Sequence, residues 1–179
     1  PTDCNVALMP TVRFADCPQS DILCVPGGHG VREALHDSAA VPFIAAQAPG
    51  ARWVTSVCTG AFLLGAAGLL TGKRATCHWA YTHLLPMVGA VHEAARVVED
   101  GNVITAGGVT SGIDFALTLI AREAGEETAR MIQLALEYDP APPFPGGHPD
   151  TSGPARTDAL KSRVYDRAAA EMGDALARI

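Results

Sequence analysis

Several things are scarce in this chain of 179 residues, and each scarcity excludes something. Charged residues make up only 18%, and acids outnumber bases, giving a formal net charge of −6. A basic face for nucleic acid or an anionic membrane is therefore not expected. No stretch approaches the ~18 consecutive apolar residues of a membrane span. The opening Pro1-Thr2-Asp3-Cys4-Asn5 has neither a basic nor an apolar region, so no signal peptide is visible. The five cysteines, Cys4, Cys17, Cys24, Cys58 and Cys77, are odd in number and contain no C-x-x-C. Neither a disulfide framework nor a zinc site is suggested. A reducing cytoplasm is the simplest setting. There are no repeats and there is no sign of a second domain. The length and the 48% hydrophobic share suit one domain with a real core.

What is present centres on Trp53-Val54-Thr55-Ser56-Val57-Cys58-Thr59-Gly60-Ala61-Phe62. β-Branched residues favour a strand through Val57, and the Ala- and Leu-rich run from Ala61 to Leu70 favours a helix. Nothing turn-like separates the two, so the chain must reverse sharply at Cys58. That is the pattern of a nucleophile elbow, with Cys for Ser and Ser56 in place of the first glycine of G-x-S-x-G. The helix N-terminus is expected to lower the thiol pKa and to leave N–H groups aimed at an anion. The competing reading is a buried structural cysteine.

Around this element the chain alternates short apolar runs with helical ones. Val6–Met9 reads as a strand, and Pro10–Ser20 as a loop. Asp21–Pro26 reads as a strand buried on both faces, ending in Pro26-Gly27-Gly28-His29-Gly30. Helices are expected over Val31–His36 and Val41–Ala48, with Pro49-Gly50 as breaker. Gly72 is the natural C-cap of the helix that follows Cys58. Arg74–Cys77 reads as a short strand and Tyr81–Leu85 as helical. Val97–Thr105 has a hairpin pattern with Asp100-Gly101 at the turn. A second glycine-rich corner, Ala106–Gly112, leads into helices over Ile113–Ala124 and Glu126–Leu136, parted by Gly125. Residues Asp139–Pro154, rich in Pro and Gly, read as ordered coil. Thr157–Arg178 reads as one polar-faced helix. The class is α/β with a mainly parallel sheet, and ligands in such sheets bind beyond the carboxyl ends of the strands. Gly27-Gly28, Cys58-Thr59 and Gly107–Thr110 should therefore converge.

Val25-Pro26-Gly27-Gly28, Val57-Cys58-Thr59-Gly60-Ala61, Ala66–Trp79 and Ala106–Asp114 together resemble the DJ-1/PfpI superfamily. The resemblance runs from about Val6 to about Pro149. The stretch Leu136-Glu137-Tyr138-Asp139-Pro140-Ala141-Pro142-Pro143-Phe144 is similar to the tail of isocyanide hydratases. The resemblance implies a flavodoxin-like fold, a homodimer and a cofactor-free cysteine enzyme. It implies a single domain over residues 1–179, with 139–179 as a C-terminal extension. It also implies a lyase that adds water to a small molecule, R–N≡C, and releases an N-substituted formamide. Cys58 matches the family nucleophile, Thr59 the residue after it, and Gly27 and Gly28 the loop facing the thiolate. His78 falls where the superfamily often has a histidine near the pocket, and Val109 lies on a corner that could flank the cysteine. Family members begin with a further strand and helix that carry an acid hydrogen-bonded to the cysteine. No residue here matches that acid, and the expectation is that this segment precedes Pro1.

Other residues keep simpler readings beside the chemical ones. His78 is either a pocket residue or a structural histidine beside Trp79, and His29 is read as exposed. Glu33 is a helix-surface residue, and Asp114 caps or charges its helix. Trp79 and Tyr81 are core or dimer contacts. Cys24 and Cys77 read as core, and Cys4 and Cys17 as incidental. Two further functional readings stand beside the hydratase. One is a ligand-sensing domain like those of AraC-type regulators, and the other is a glyoxalase or amidase of the superfamily.

Overall fold

The computed structural model describes residues 6–179. Cys4 and the opening pentapeptide lie outside them.

Strand β1 (Ile22–Val25) is followed by helices α1 (Val31–Ala34) and α2 (Ala40–Gln47). Strand β2 (Trp53–Val57) leads into α3 (Gly60–Ala66). Short strands β3 (Arg74–Ala75) and β4 (Val91–His92) pair in parallel across a 3₁₀ segment, Trp79–Val88. The hairpin β5 (Val97–Asp100) and β6 (Val103–Ala106) precedes α4 (Ser111–Ala124) and α5 (Glu126–Ala135). After an irregular stretch come α6 (Pro149–Ser152), α7 (Pro154–Leu160), a π turn over Lys161–Tyr165, and α8 (Asp166–Leu176).

The main sheet has the order β1-β2-β6-β5. β1, β2 and β6 run parallel, and β5 is antiparallel to β6. Strand alternation divides the sheet's side chains between two layers. Leu23, Val25, Val54 and Val103 join the core formed with α1–α3 and α8. Ile104 and Ala106 pack with Phe115 of α4, supported by Trp53, Val57 and Leu119. Helices thus cover both faces, and β2 and β6 lie between them. This is the expected flavodoxin-like α/β arrangement. Among the described residues no helix is long and apolar enough to cross a membrane.

Several expectations need correction. Val6–Met9 forms no strand; its side chains are exposed and irregular. β1 is buried on alternate residues, not on both faces, so Cys24 is exposed. The reason is the layer above each face: Leu23 and Val25 join the core formed with α1–α3, whereas no β1 residue joins the core on the α4 side. The helix after Cys58 ends at Ala66 rather than Leu70, and Gly68 already has φ 76°. The hairpin turn is Gly101-Asn102, one residue later than Asp100-Gly101. Gly101 takes φ 65° at the first central position, which suits the twist of a hairpin. The terminal helix is two helices joined by the π turn.

The C-terminal segment is fastened to the same core. Ala169, Met172, Ala175 and Leu176 of α8 are buried in it, and Arg32 of α1 pairs with Glu171.

Candidate active site

Cys58 stands at the carboxyl end of β2 with φ 60°. A non-glycine residue in this region is strained, and such strain is retained only where the surroundings over-determine it. The surroundings do so here. The Cys58 N–H donates to both Ala106 O (2.9 Å) and Gly107 O (2.8 Å) at the end of β6. Two glycines let the neighbouring backbone close in. A Cβ on Gly60 would lie 2.2 Å from Val25 O, and one on Gly27 would lie 2.6 Å from Thr59 N and 2.8 Å from Cys58 Cβ. β1, β2 and β6 thus bring their carboxyl-end corners together around one thiol.

Thr59 clasps the loop after β1. The Gly28 N–H donates to Thr59 Oγ1 (3.0 Å), and the hydroxyl lies 3.4 Å from Gly28 O. The Gly28 N–H is therefore engaged by threonine rather than aimed freely at the sulfur. Thr59 itself acts on the thiol through its N–H and its hydroxyl, both favouring the thiolate. Burial outweighs them and pushes the Cys58 thiol above its ordinary range. The expected net lowering is not found, because the sulfur is desolvated.

His78 packs against the β6 corner: a Cβ on Gly108 would sit 3.0 Å from its ring. Its Nδ1 accepts the Ala80 N–H (3.3 Å), which caps the 3₁₀ segment. Burial lowers its pKa, so the ring is neutral at pH 7. It belongs to an aromatic cluster with Trp79, Tyr81 and Tyr165, its ring centroid 5.0 Å from that of Tyr165. Cys77, buried beside it, has a thiol driven far up by desolvation. Val109 is in the corner but 82% exposed.

An apolar cavity of about 310 Å³ opens beside the site, lined by Phe14, Leu23, Val25, Gly27, Val31 and Phe43 among others. Cys58 does not line it. It is the strained elbow and its three corners, not the cavity, that mark the site. Among the described residues no three His, Cys, Asp or Glu gather as metal ligands would.

Sequence reading missed Tyr165, which ends the π turn and packs its ring against His78, Trp79 and Tyr81. It also missed Arg96, whose backbone and side chain brace the Gly107–Thr110 corner: Gly107 N donates to Arg96 O (3.0 Å), and Arg96 Nη2 donates to Thr110 Oγ1 (3.1 Å). No local pattern signals either contact.

A mainly parallel sheet with a strained cysteine on a strand-to-helix elbow at its carboxyl edge defines a class: α/β proteins built around a cysteine elbow. Within that class the chain belongs to the DJ-1/PfpI family, whose pattern matches residues 3–122. It is 53% identical over 178 residues to an isonitrile hydratase of Pseudomonas putida, covering 94% of this chain and 78% of that protein. It is 32% identical over 139 residues to GbdR, an HTH-type transcriptional regulator of Pseudomonas aeruginosa, but spans only 37% of that protein's length. Among solved structures, a THiJ/PfpI family protein from Pseudomonas syringae superposes with a TM-score of 0.92 at 38% identity, over 97% of this chain and 72% of that one.

Proposed function

We propose that this chain is an isocyanide hydratase, converting R–N≡C to an N-substituted formamide with Cys58 as nucleophile. The observation that carries the reading is the 53% identity to an isonitrile hydratase across 94% of the chain. The strained, triply framed thiol supports Cys58 as the reacting group.

Cys58 sulfur attacks the terminal isocyanide carbon, and the proton given up by the thiol ends on that same carbon. The product is a thioimidate, R–N=CH–S–Cys58. Water adds across the C=N bond to give R–NH–CH(OH)–S–Cys58. The C–S bond then breaks, releasing R–NH–CHO and restoring the thiol. The Thr59 N–H and hydroxyl stabilise negative charge on the sulfur at the first and last steps, and preorganised donors of this kind can supply a few kcal/mol each. Because burial holds the thiol protonated, a base must receive its proton as attack begins. In the family resemblance that base is a carboxyl group, which would then activate the water. Gly27 and Gly28 shape the loop against the elbow. His78, neutral and capping a helix, walls the site rather than acting as the base. Val109, exposed on the β6 corner, is proposed as a substrate contact.

Residues 1–179 are proposed as a single domain with 139–179 as its extension, supported by the core that α8 shares with α1–α3. A homodimer is proposed, supported by exposed Met131 and Leu134 one helical turn apart on α5. A cytoplasmic setting is supported by the free thiols of Cys17, Cys24, Cys58 and Cys77. The partner is a small molecule, with neither nucleic acid nor membrane required.

The match to the transcriptional regulator favours a second reading, in which the same α/β unit senses a ligand without turning it over. Incubating the intact protein with an aryl isocyanide and assaying formamide separates the two. Catalytic turnover is expected. Binding without formamide would favour the sensor, and neither would defeat both readings.

A further inference from the structure

Among the described residues two non-glycine residues have positive φ: Cys58 (60°) and Glu137 (51°). They are far apart in sequence, yet a chain of hydrogen bonds runs from Cys58 to Tyr138, the residue after Glu137. Cys58 N–H donates to Gly107 O (2.8 Å), and Gly107 N–H donates to Arg96 O (3.0 Å). The Arg96 guanidinium bonds Thr110 Oγ1 (3.1 Å) with one nitrogen and the Asp114 carboxylate with another. The other Asp114 oxygen accepts from Tyr138 OH (3.1 Å). Tyr138 is brought there by Glu137, whose left-handed turn ends α5. The Tyr138 N–H donates to Gln133 O (3.0 Å), and Gln133 Nε2 donates back to Tyr138 O (3.2 Å).

We propose that Arg96, Asp114 and Tyr138 are positioning residues: together they fix the Gly107–Thr110 corner, hold Cys58 in its left-handed conformation and so set the direction of its thiol. The inference rests on the reading of Cys58 as the nucleophile. Arg96 is 54% and Asp114 32% exposed, and an ion pair this open contributes little to stability. Its value here is geometric. The planar fork of arginine addresses a carboxylate and a hydroxyl at once, which a lysine cannot do. Tyr138 carries the constraint from the stretch after α5 to the start of α4. Without the clamp the corner can relax, Cys58 can leave its strained conformation, and the sulfur moves off the Thr59 N–H. Small misplacements of reacting atoms have large effects on rate.

The test uses Tyr138→Phe and Arg96→Lys in the intact protein, neither of which has a part in the proposed chemical steps. Two quantities are measured per folded molecule: kcat and KM for formamide formation, and the rate of Cys58 alkylation by iodoacetamide, followed on the Cys58 peptide by mass spectrometry. Both variants are expected to lower kcat about tenfold with KM within about twofold. Both should slow Cys58 alkylation about threefold as the thiolate loses the Thr59 N–H. Wild-type kcat and alkylation in both variants would overturn the clamp. So would losses that only match the fraction unfolded. If the wild-type protein made no formamide, the hydratase reading would fail while the alkylation rates still decided the clamp.

Discussion

The elbow and the stretch after α5 are built by opposite means. Around Cys58 the chain is closed: Ala61, Phe62 and Leu64 are fully buried, and Gly27 and Gly60 are seated against backbone with no room for a methyl group. From Leu136 to Gly147 the chain is open, with Leu136 and Phe144 exposed at 64% and 79%. Yet both regions hold a strained non-glycine residue. At Cys58 the strain is imposed by packing from three strands. At Glu137 it is held by a few hydrogen bonds at a helix end. Dense packing fixes where the sulfur is, and the open stretch reaches back through Tyr138 to fix how it is presented.

The largest effect that would sharpen this contrast is on stability. Phe62→Ala empties a fully buried site beside Tyr81 and should cost about 3–5 kcal/mol, measured by urea unfolding. Phe144→Ala, in the open stretch, should change stability by no more than about 0.5 kcal/mol. Comparable losses from the two would break the distinction. Next, Gly60→Ala must push against Val25 O and should cost about 1–3 kcal/mol. Gly147→Ala meets nothing within 4 Å and should be near neutral in the same denaturant titration.

A smaller effect is expected with pH. Burial raises the Cys77 thiol in the folded state, so above the ordinary thiol range the unfolded chain releases a proton that the folded chain keeps. The unfolded state then binds fewer protons, and stability falls as pH rises. The contribution is fully present below the ordinary thiol pKa. Cys77→Ala should flatten the decline seen in unfolding curves taken from neutral to alkaline pH. An unchanged slope would count against a desolvated thiol. Smallest of all, Glu126→Gln removes an exposed pair with Arg130 on α5 and should shift the midpoint by less than about 0.5 kcal/mol.

What could be read from sequence follows the same divide. β2 was legible to the residue, because Trp53–Val57 is β-branched, apolar and bounded by an abrupt change of composition. The elbow was legible because strand and helix signals meet at Cys58 with nothing between. Gly27, Thr59 and the Gly107–Thr110 corner were legible as strand ends that had to meet. The rest depends on tertiary surroundings. Cys24 is exposed because no β1 residue joins the core on the α4 side of the sheet, which its apolar neighbours do not encode. The direction of the Cys58 pKa is decided by burial, and helix-end arguments alone gave the opposite sign. The resemblance places Gly28 in a loop facing the thiolate, and only the fold shows Thr59 Oγ1 taking its N–H. β4 has two residues and exists through its pairing with β3. Tyr165 joins His78 from a distant part of the chain, a contact with no local sequence signature.

The central claim is that Cys58 carries the chemistry, and one assay tests it most directly. Wild type and Cys58→Ala, both checked for folding, are incubated with the same aryl isocyanide, and formamide is quantified against time. The account predicts multiple turnovers by the wild type and a rate lower by about 10³-fold or more in the variant. Formamide produced by Cys58→Ala at the wild-type rate would contradict it.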